Sequence, residues 1–367
     1  MNLKILFFLF VLCISSPTSR DKNPILCGYS QNRIYVENLL PKGYVKDGSV
    51  DYTNVIQKAL NEHDYIILPN FPVLVNDTGL KLKSNSVLEF QDKSILELKT
   101  STKDTYNILE IHNVENVQIL NPNIVGDRVN HLGKGGEHGM GIAIRSSKNI
   151  KILNANIKNC WGDGIYIGRL NQFDKEGMFV PSENINIEGA HLERNRRNAL
   201  SLTSGKNIMI RNLIAINTNG TAPMAGIDIE PNANKDYLEG VILENILTEN
   251  NRYGIQLCLK KMVGVRNANV DVIINNHIDN GSKVAFRIDK FDRAGKQLNG
   301  RVKVVNAKWK NNQKAHLSFA GVQDKSSKVV FSNVKGIKGK QIIKDNFVLE
   351  NNSTRIRNSI SDRVTFR

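Results

Sequence analysis

The chain has 367 residues, 40% of them hydrophobic and 23% charged, with 50 Lys and Arg against 35 Asp and Glu for a formal net charge of +15. That balance is ordinary for folded soluble proteins and excludes a disordered chain, and the length suffices for one large or elongated domain. The positive charge favours anionic partners; with only 7% aromatic residues and basic residues scattered along the chain, nucleic acid fits less well than an acidic polysaccharide.

Residues 1–19 read as a signal peptide, with Lys4 before an apolar run from Ile5 to Ile14 and the small-residue stretch Ser15-Ser16-Pro17-Thr18-Ser19. This predicts export, either secretion or delivery to the periplasm. The apolar run is too short to span a bilayer and no later segment reaches ~20 residues, so no integral membrane segment is expected. Lipidation at Cys13 is the alternative, although the bulky Leu12 before it fits that poorly. Beyond the signal, Cys27, Cys160 and Cys258 are odd in number and widely spaced, which argues against a disulfide framework. No CxxC, HxxxH or HExxH spacing occurs, so no metal site and no cofactor are expected. A divalent cation such as calcium at a carboxylate cluster stays open should the chemistry be that of a lyase.

Residues 44–62 look like an end cap. Asp51 can cap a short helix with Val55, Ile56, Ala59 and Leu60 on one face, and Ile66 to Leu68 before Pro69 reads as a strand. The Asp47-Gly48 pair, Asp51 and Thr53, followed by this helix and strand, resemble the opening of the pectate-lyase-like and phage-tailspike-like β-helix superfamily.

The body repeats. Asn149-Ile150-Lys151-Ile152, Asn184-Ile185-Asn186-Ile187, Asn207-Ile208-Met209-Ile210 and Gly240-Val241-Ile242-Leu243 are copies of one strand. A second follows each, as at Asn154–Ile157, Gly189–Leu192, Asn212–Ala215 and Asn245–Thr248, and then a third, as at Gly164–Gly168, Ala199–Thr203, Gly226–Glu230 and Gly254–Cys258; Gly141–Arg145 is the same third element upstream. Short period-2 strands cannot bury an apolar face alone but can when coiled and stacked. The predicted fold is therefore all-β: a right-handed parallel β-helix with three strands per coil over residues 20–335, an N-terminal capping helix, and a C-terminal cap or tail at 336–367. A β-sandwich would not demand the same strand order in successive units. Asn149, Asn184 and Asn207 at one repeat position predict a side-chain amide ladder at a bend.

Inward Ile and Leu force alternate residues of the third strands outward. Ala143, Tyr166, Ser201, Asp228 and Gln256 form one outer column, and Arg145, Gly168, Thr203, Glu230 and Cys258 the next. Asp228 and Glu230, two apart on one strand, have backbone origins roughly 6.5–7 Å apart. That suits an inverting glycosidase pair with its carboxyls ~6.5–9.5 Å apart. Asp163, two coils earlier, is a candidate third member; solvated surface acids are the plain alternative for all three. Arg196, Arg197 and Asn198 sit at the bend before Ala199, where the arginines could neutralise a uronate or sulfate. Tyr166 offers a phenol or a stacking platform, or is a strand-forming surface residue. Ser201, Gln256 and Arg145 line the same face as substrate-binding candidates, and His138 is a proton carrier or incidental. The stretch Gly133–Gly141 precedes a strand and lacks the Lys-Ser/Thr ending of a phosphate loop; its glycines suit a chain passing close to another coil.

Gly162–Tyr166, the Arg-Arg-Asn bend and Gly226–Asn232 together resemble the branch of the superfamily related to glycosyl hydrolase family 28. The resemblance implies a β-helix and work on a polysaccharide. The chain departs from the polygalacturonase pattern: Asn217-Thr218 is followed by Asn219, Asp163 is a single acid, and His138 comes before the coil where that family has its own histidine. Three functions follow from this reading. The first is a glycoside hydrolase of an anionic polysaccharide, with Asp228 and Glu230 as the acid and base pair in either order, Asp163 assisting and Arg197 holding a substrate acid group. The second is a polysaccharide lyase using Tyr166, His138 or an arginine, and the third a non-catalytic glycan-binding module.

Overall fold

The computed structural model describes residues 32–266, 268–289, 298–320, 328–338, 341–342 and 347–349. The predicted signal peptide, Cys13 and Cys27 lie outside the described residues. The chain winds into a parallel β-solenoid of about nine turns with one helix near its N-terminus. Ten strands stack in parallel to make the front sheet: Leu80–Lys81, Thr105–His112, His138–Arg145, Ile165–Gly168, Leu200–Leu202, Ala225–Ile229, Tyr253–Cys258, Val284–Asp289, Ala315–Ala320 and Phe347–Leu349. A second, 19-stranded sheet makes the other sides. Of the segment 336–367, Lys335–Lys338 pairs antiparallel with Gln341–Ile342, and Phe347–Leu349 pairs parallel with the Ala315–Ala320 strand.

Every coil contributes the same inward positions. Ile142, Ile165, Leu200, Ile227, Ile255 and Phe286 are neighbours in register down the front sheet, and Ile144, Ile167, Leu202, Ile229, Leu257 and Ile288 form the adjacent column. All twelve are fully buried, each stabilising the fold by ~1.5–3 kcal/mol relative to exposure. Cys160 and Cys258 are buried and neither is in a disulfide.

The bends are held by asparagine. Asn116 donates to Asn85 at 2.8 Å, Asn149 to Asn116 at 2.9 Å, Asn184 to Asn149 at 3.0 Å and Asn207 to Asn184 at 3.1 Å. These five residues have φ between 54° and 59°, and Gly240, at 63°, takes the next rung. Asn tolerates this left-handed conformation better than most residues, and its amide both donates and accepts, so each rung satisfies the next. One feature differs from three separate strands per coil. In Gly205–Ile216, Leu238–Glu249 and Asn269–Asn280 the first two strands run on as one. Asn212, Asn245 and Asn276, with φ of 52–56°, bend each strand while pairing continues on both sides.

The helix Thr53–Glu62 closes the N-terminal end, with Ile56, Ala59 and Leu60 buried and Val55 half-buried. The N-cap position is Tyr52, one residue later than the sequence suggests; Asp51, just before it, accepts from the Thr53 amide at 3.0 Å and the Thr53 hydroxyl at 2.6 Å. From the helix, Gln57 bonds both the carbonyl and the amide of Lys81, covering an otherwise open edge of the front sheet.

Candidate functional site

The first predicted outer column exists in register: Ala143, Tyr166, Ser201, Asp228 and Gln256 are successive neighbours on the front sheet, and of the second Arg145 pairs with Gly168. The column is not a solvated surface. Asp163, Asn198, Ser201 and Asp228 are at most 1% exposed and Gln256 is also buried, because side chains one coil apart, at ~4.8 Å, lie across one another. Their polar atoms are paired, as burial requires.

Arg197 is the centre of the cluster. Its Nη1 lies 3.0 Å and 3.3 Å from the two carboxylate oxygens of Asp163, its Nη2 is 4.0 Å from Asp228, and its Nε donates to Glu137 at 3.2 Å. Burial works against the Arg197 charge, but Asp163, then Asp228 and Glu137, outweigh it and hold the guanidinium above its ordinary range. Arg197, expected to meet a substrate acid group, is thus engaged by the protein's own carboxylates. Asn198 is the second hub: its backbone amide donates to Asp163 at 3.0 Å, its side-chain amide to Ser201 at 3.0 Å and Asp228 at 3.2 Å, and its carbonyl oxygen accepts from the Ala225 amide at 2.9 Å. Gln256 donates to the other Asp228 oxygen at 3.1 Å.

These contacts decide the state of Asp228. Burial, then the charge of half-buried Glu230, push its carboxyl up to about 8 against the pull of Arg197. Burial thus favours the protonated form of Asp228. A protonated acid and a more accessible carboxylate two residues away give a site able to donate a proton to one atom and accept one from another.

The other candidates divide. Tyr166 is buried, bonds Thr203 at 2.9 Å and lies beneath the Arg145 guanidinium, 4.0 Å from its ring. Arg196 does not join the cluster; it stacks over Trp161 at 3.8 Å and donates to the Gly136 carbonyl at 2.7 Å. His138 is exposed at the start of its strand. The glycine-rich stretch passes against another coil as expected: at Gly136, with φ of 77°, a Cβ would come within 2.5 Å of Asp104. It also delivers Glu137 to Arg197.

Two buried networks had no sequence signal. Asp127 accepts from the Tyr106 hydroxyl, from the Ser101 amide at 2.9 Å and binds His131 Nδ1 at 2.8 Å, with His131 stacked on Trp161 at 3.9 Å. Further along, Asp279 accepts from Thr248 at 2.6 Å, Ser282 at 2.7 Å and Asn312. Burial pushes Asp279 up to about 6 and its neighbour in the network, His277, down to about 3. Among the described residues no group of three or more His, Cys, Asp or Glu side chains is arranged to hold a metal ion, and no helix is long and apolar enough to cross a membrane.

No protein-family model matches the chain. The SPbeta prophage-derived uncharacterized protein YorA of Bacillus subtilis is 30% identical over 162 residues, 41% of this chain and 28% of YorA, so the chain spans less than a third of that relative's length. Solved structures align over most of the chain. A 1,3-α-1,4-β-D-galactose-4-sulfate-3,6-anhydro-D-galactose-2-sulfate 4 galactohydrolase gives a TM-score of 0.63 at 15% identity, covering 89% of this chain and 92% of that one. Polygalacturonase from Erwinia carotovora gives 0.59 at 16% identity over 88% and 95%. PfbA, a surface adhesin of Streptococcus pneumoniae, gives 0.56 at 16% identity over 87% and 90%. The class is thereby fixed: the chain has the pectate-lyase-like parallel β-helix fold. Enzymes and an adhesin share that fold, so it leaves the activity to the site.

Proposed function

We propose that the chain is an exported glycoside hydrolase of an anionic polysaccharide, with Asp228 as general acid and Glu230 as general base. The observation that carries this is the placement of two carboxyls two residues apart at the end of one front-sheet strand, Asp228 buried and Glu230 half-buried, where burial favours the protonated form of Asp228. Asp228 gives its proton to the glycosidic oxygen as the bond to the anomeric carbon breaks. Glu230 takes a proton from the water that attacks that carbon from the opposite face, inverting it. Their strand spacing of roughly 6.5–7 Å between backbone origins leaves room for that water. Asp163 acts through Arg197, which it anchors beside Asp228. A sugar reaches Asp228 by displacing the Arg197 guanidinium from its 4.0 Å pairing, the loosest of that residue's contacts. The structurally similar galactohydrolase and polygalacturonase support a polysaccharide as the substrate class, and the +15 charge supports an anionic one.

A glycan-binding role is favoured by a different observation: the Asp163 and Asp228 side chains are 0% and 1% exposed, and an adhesin shares the fold. Incubation with uronate and sulfated glycans, following new reducing ends together with absorbance of unsaturated ends, separates these. New reducing ends without unsaturation, lost in Asp228→Asn and Glu230→Gln, are expected. Unsaturated products indicate β-elimination and overturn hydrolysis, and tight binding with no product on any glycan leaves the binding role.

A further inference from the structure

Arg196 and Arg197 clamp two consecutive residues of the glycine-rich stretch. Arg196 donates to the Gly136 carbonyl at 2.7 Å and Arg197 Nε to the Glu137 carboxylate at 3.2 Å, while the Trp161 indole donates to the Gly135 carbonyl at 2.9 Å. The backbone before Glu137 is therefore fixed, and on its other side the His138 amide bonds the Asp104 carbonyl at 3.3 Å. The Glu137 side chain is not fixed. It is 50% exposed, and among the described residues its carboxylate bonds nothing but Arg197. Asp163, on the same guanidinium, is the opposite case: its side chain is sealed from solvent and also accepts from the Asn198 amide at 3.0 Å.

The guanidinium is incompletely used. Nη1 serves Asp163 and Ser201, and Nε serves Glu137. The Asp228 oxygen facing Nη2 is 4.0 Å away, beyond hydrogen-bonding reach, and Nη2 makes no hydrogen bond among the described residues. Nε–H and Nη2 lie along one edge of the planar group, the fork on which a carboxylate or sulfate seats two oxygens with parallel bonds. Glu137 takes one donor of that fork and leaves the other idle. An ion pair with so exposed a partner is worth little, whereas breaking the buried Asp163 contact strands a charge away from water. The partner that Arg197 exchanges most easily is therefore Glu137.

We infer that Glu137 is a built-in stand-in for a substrate anion: it occupies the Nε edge of Arg197 in the free protein, and a carboxylate or sulfate of the incoming glycan displaces it by taking Nε and Nη2 together. This rests on the proposed function in setting a charged sugar beside Asp228, but its own claim is binding, which is measured without turnover. The exchange needs only rotation of the Glu137 side chain, since the loop backbone stays tied to Arg196 and Trp161. It also lets a site crowded with carboxylates accept an anionic chain, because one negative charge leaves the guanidinium as another arrives. A neutral sugar has nothing to offer in that exchange, so the contact selects for charge.

The test is calorimetry of the full chain and of Glu137→Gln at low ionic strength, against an oligogalacturonate, a sulfated galactan oligosaccharide and uncharged dextran. Glu176→Gln, in the exposed stretch beyond the Ile165–Gly168 strand, removes the same charge without touching Arg197 and controls for long-range electrostatics. Removing a carboxylate that itself holds the ligand weakens binding. Here Glu137→Gln should instead tighten binding of an anionic glycan about two- to five-fold, the worth of one such ion pair, with dextran unaffected and Glu176→Gln at the parent's affinity. Arg197→Lys, which lacks the fork, should abolish the gain when combined with Glu137→Gln; should that variant not fold, the comparison of Glu137→Gln with Glu176→Gln decides alone. Whichever anionic probe gains identifies the group that Arg197 holds. Weaker or unchanged binding in Glu137→Gln, an equal gain in Glu176→Gln, an equal gain on dextran, or no binding of either anionic glycan would each overturn the inference. Failure of the hydrolase proposal is seen separately, as turnover that Asp228→Asn leaves intact or as no turnover at all.

Discussion

Replacing Asp228 by Asn should change how stability depends on pH, and the size of the change can be worked out. The carboxyl titrates near 3.8 in an unfolded chain and is pushed up to about 8 in the fold. A raised folded value means that the stability from this group is complete below about 3.8, is lost steadily as pH rises, and is gone above about 8. Each unit is worth ~1.36 kcal/mol, so between about pH 5 and about pH 8 the wild type gives up as much as ~4 kcal/mol at this one side chain. Asn has no proton to lose. It does set an amide against the donors of Asn198 or Gln256, which costs roughly 1–3 kcal/mol, but that cost is the same at every pH. The informative quantity is therefore the difference between the two proteins' pH slopes, measured by urea denaturation at several pH values. The wild type should lose stability relative to Asp228→Asn as pH rises through this window. Parallel curves would show that Asp228 is an ordinary ionised carboxylate, and the general-acid assignment would fall with it.

Asn149→Ala removes two ladder bonds, to Asn116 and from Asn184, and leaves a left-handed residue with a Cβ and no amide. The expected loss is about 2 kcal/mol in urea denaturation, with Asn149→Gly losing less. Thr248→Val removes the 2.6 Å donor to Asp279 and the partner of His277 at 2.8 Å. Because Asp279 ionises only above about 6, the destabilisation should be ~1.5–3 kcal/mol near pH 7.5 and clearly smaller near pH 4.5, where the carboxyl is neutral. An equal loss at both pH values would refute that protonation state.

The coil register was legible because it is written twice, in apolar residues at period 2 and in an asparagine at each bend. The repeat at Asn149, Asn184 and Asn207 extends back to Asn85 and Asn116, and the column from Ala143 to Gln256 forms as the alternation requires. What alternation cannot convey is whether an outward side chain meets water. Asp228 points away from the apolar core, yet the amides of Asn198 and Gln256 from neighbouring coils cover it, a contact between residues 28 and 30 positions apart. The pair Arg196 and Arg197 looked interchangeable as text. In an extended chain neighbours face opposite ways, and here one side chain goes to Trp161 and the other to Asp163. Asp279 was invisible for the opposite reason: in the polar run Asp279-Asn280-Gly281-Ser282 it reads as part of an exposed bend, whereas it occupies an inward position that the fold seals beneath Thr248, Ser282 and Asn312.

The amide ladder has a consequence for how such a molecule can be re-tooled. Successive rungs from Asn85 to Asn207 are 31, 33, 35 and 23 residues apart, although every rung makes the same bond. The 23-residue spacing shows what the frame itself demands, and anything more is carried as side excursions such as 126–137 and 169–181, which branch off at the two ends of front-sheet strands. New length can therefore be spliced in beside the working face without disturbing the spine. One residue added inside a strand has no such outlet, and would exchange the inner and outer faces of everything up to the next bend.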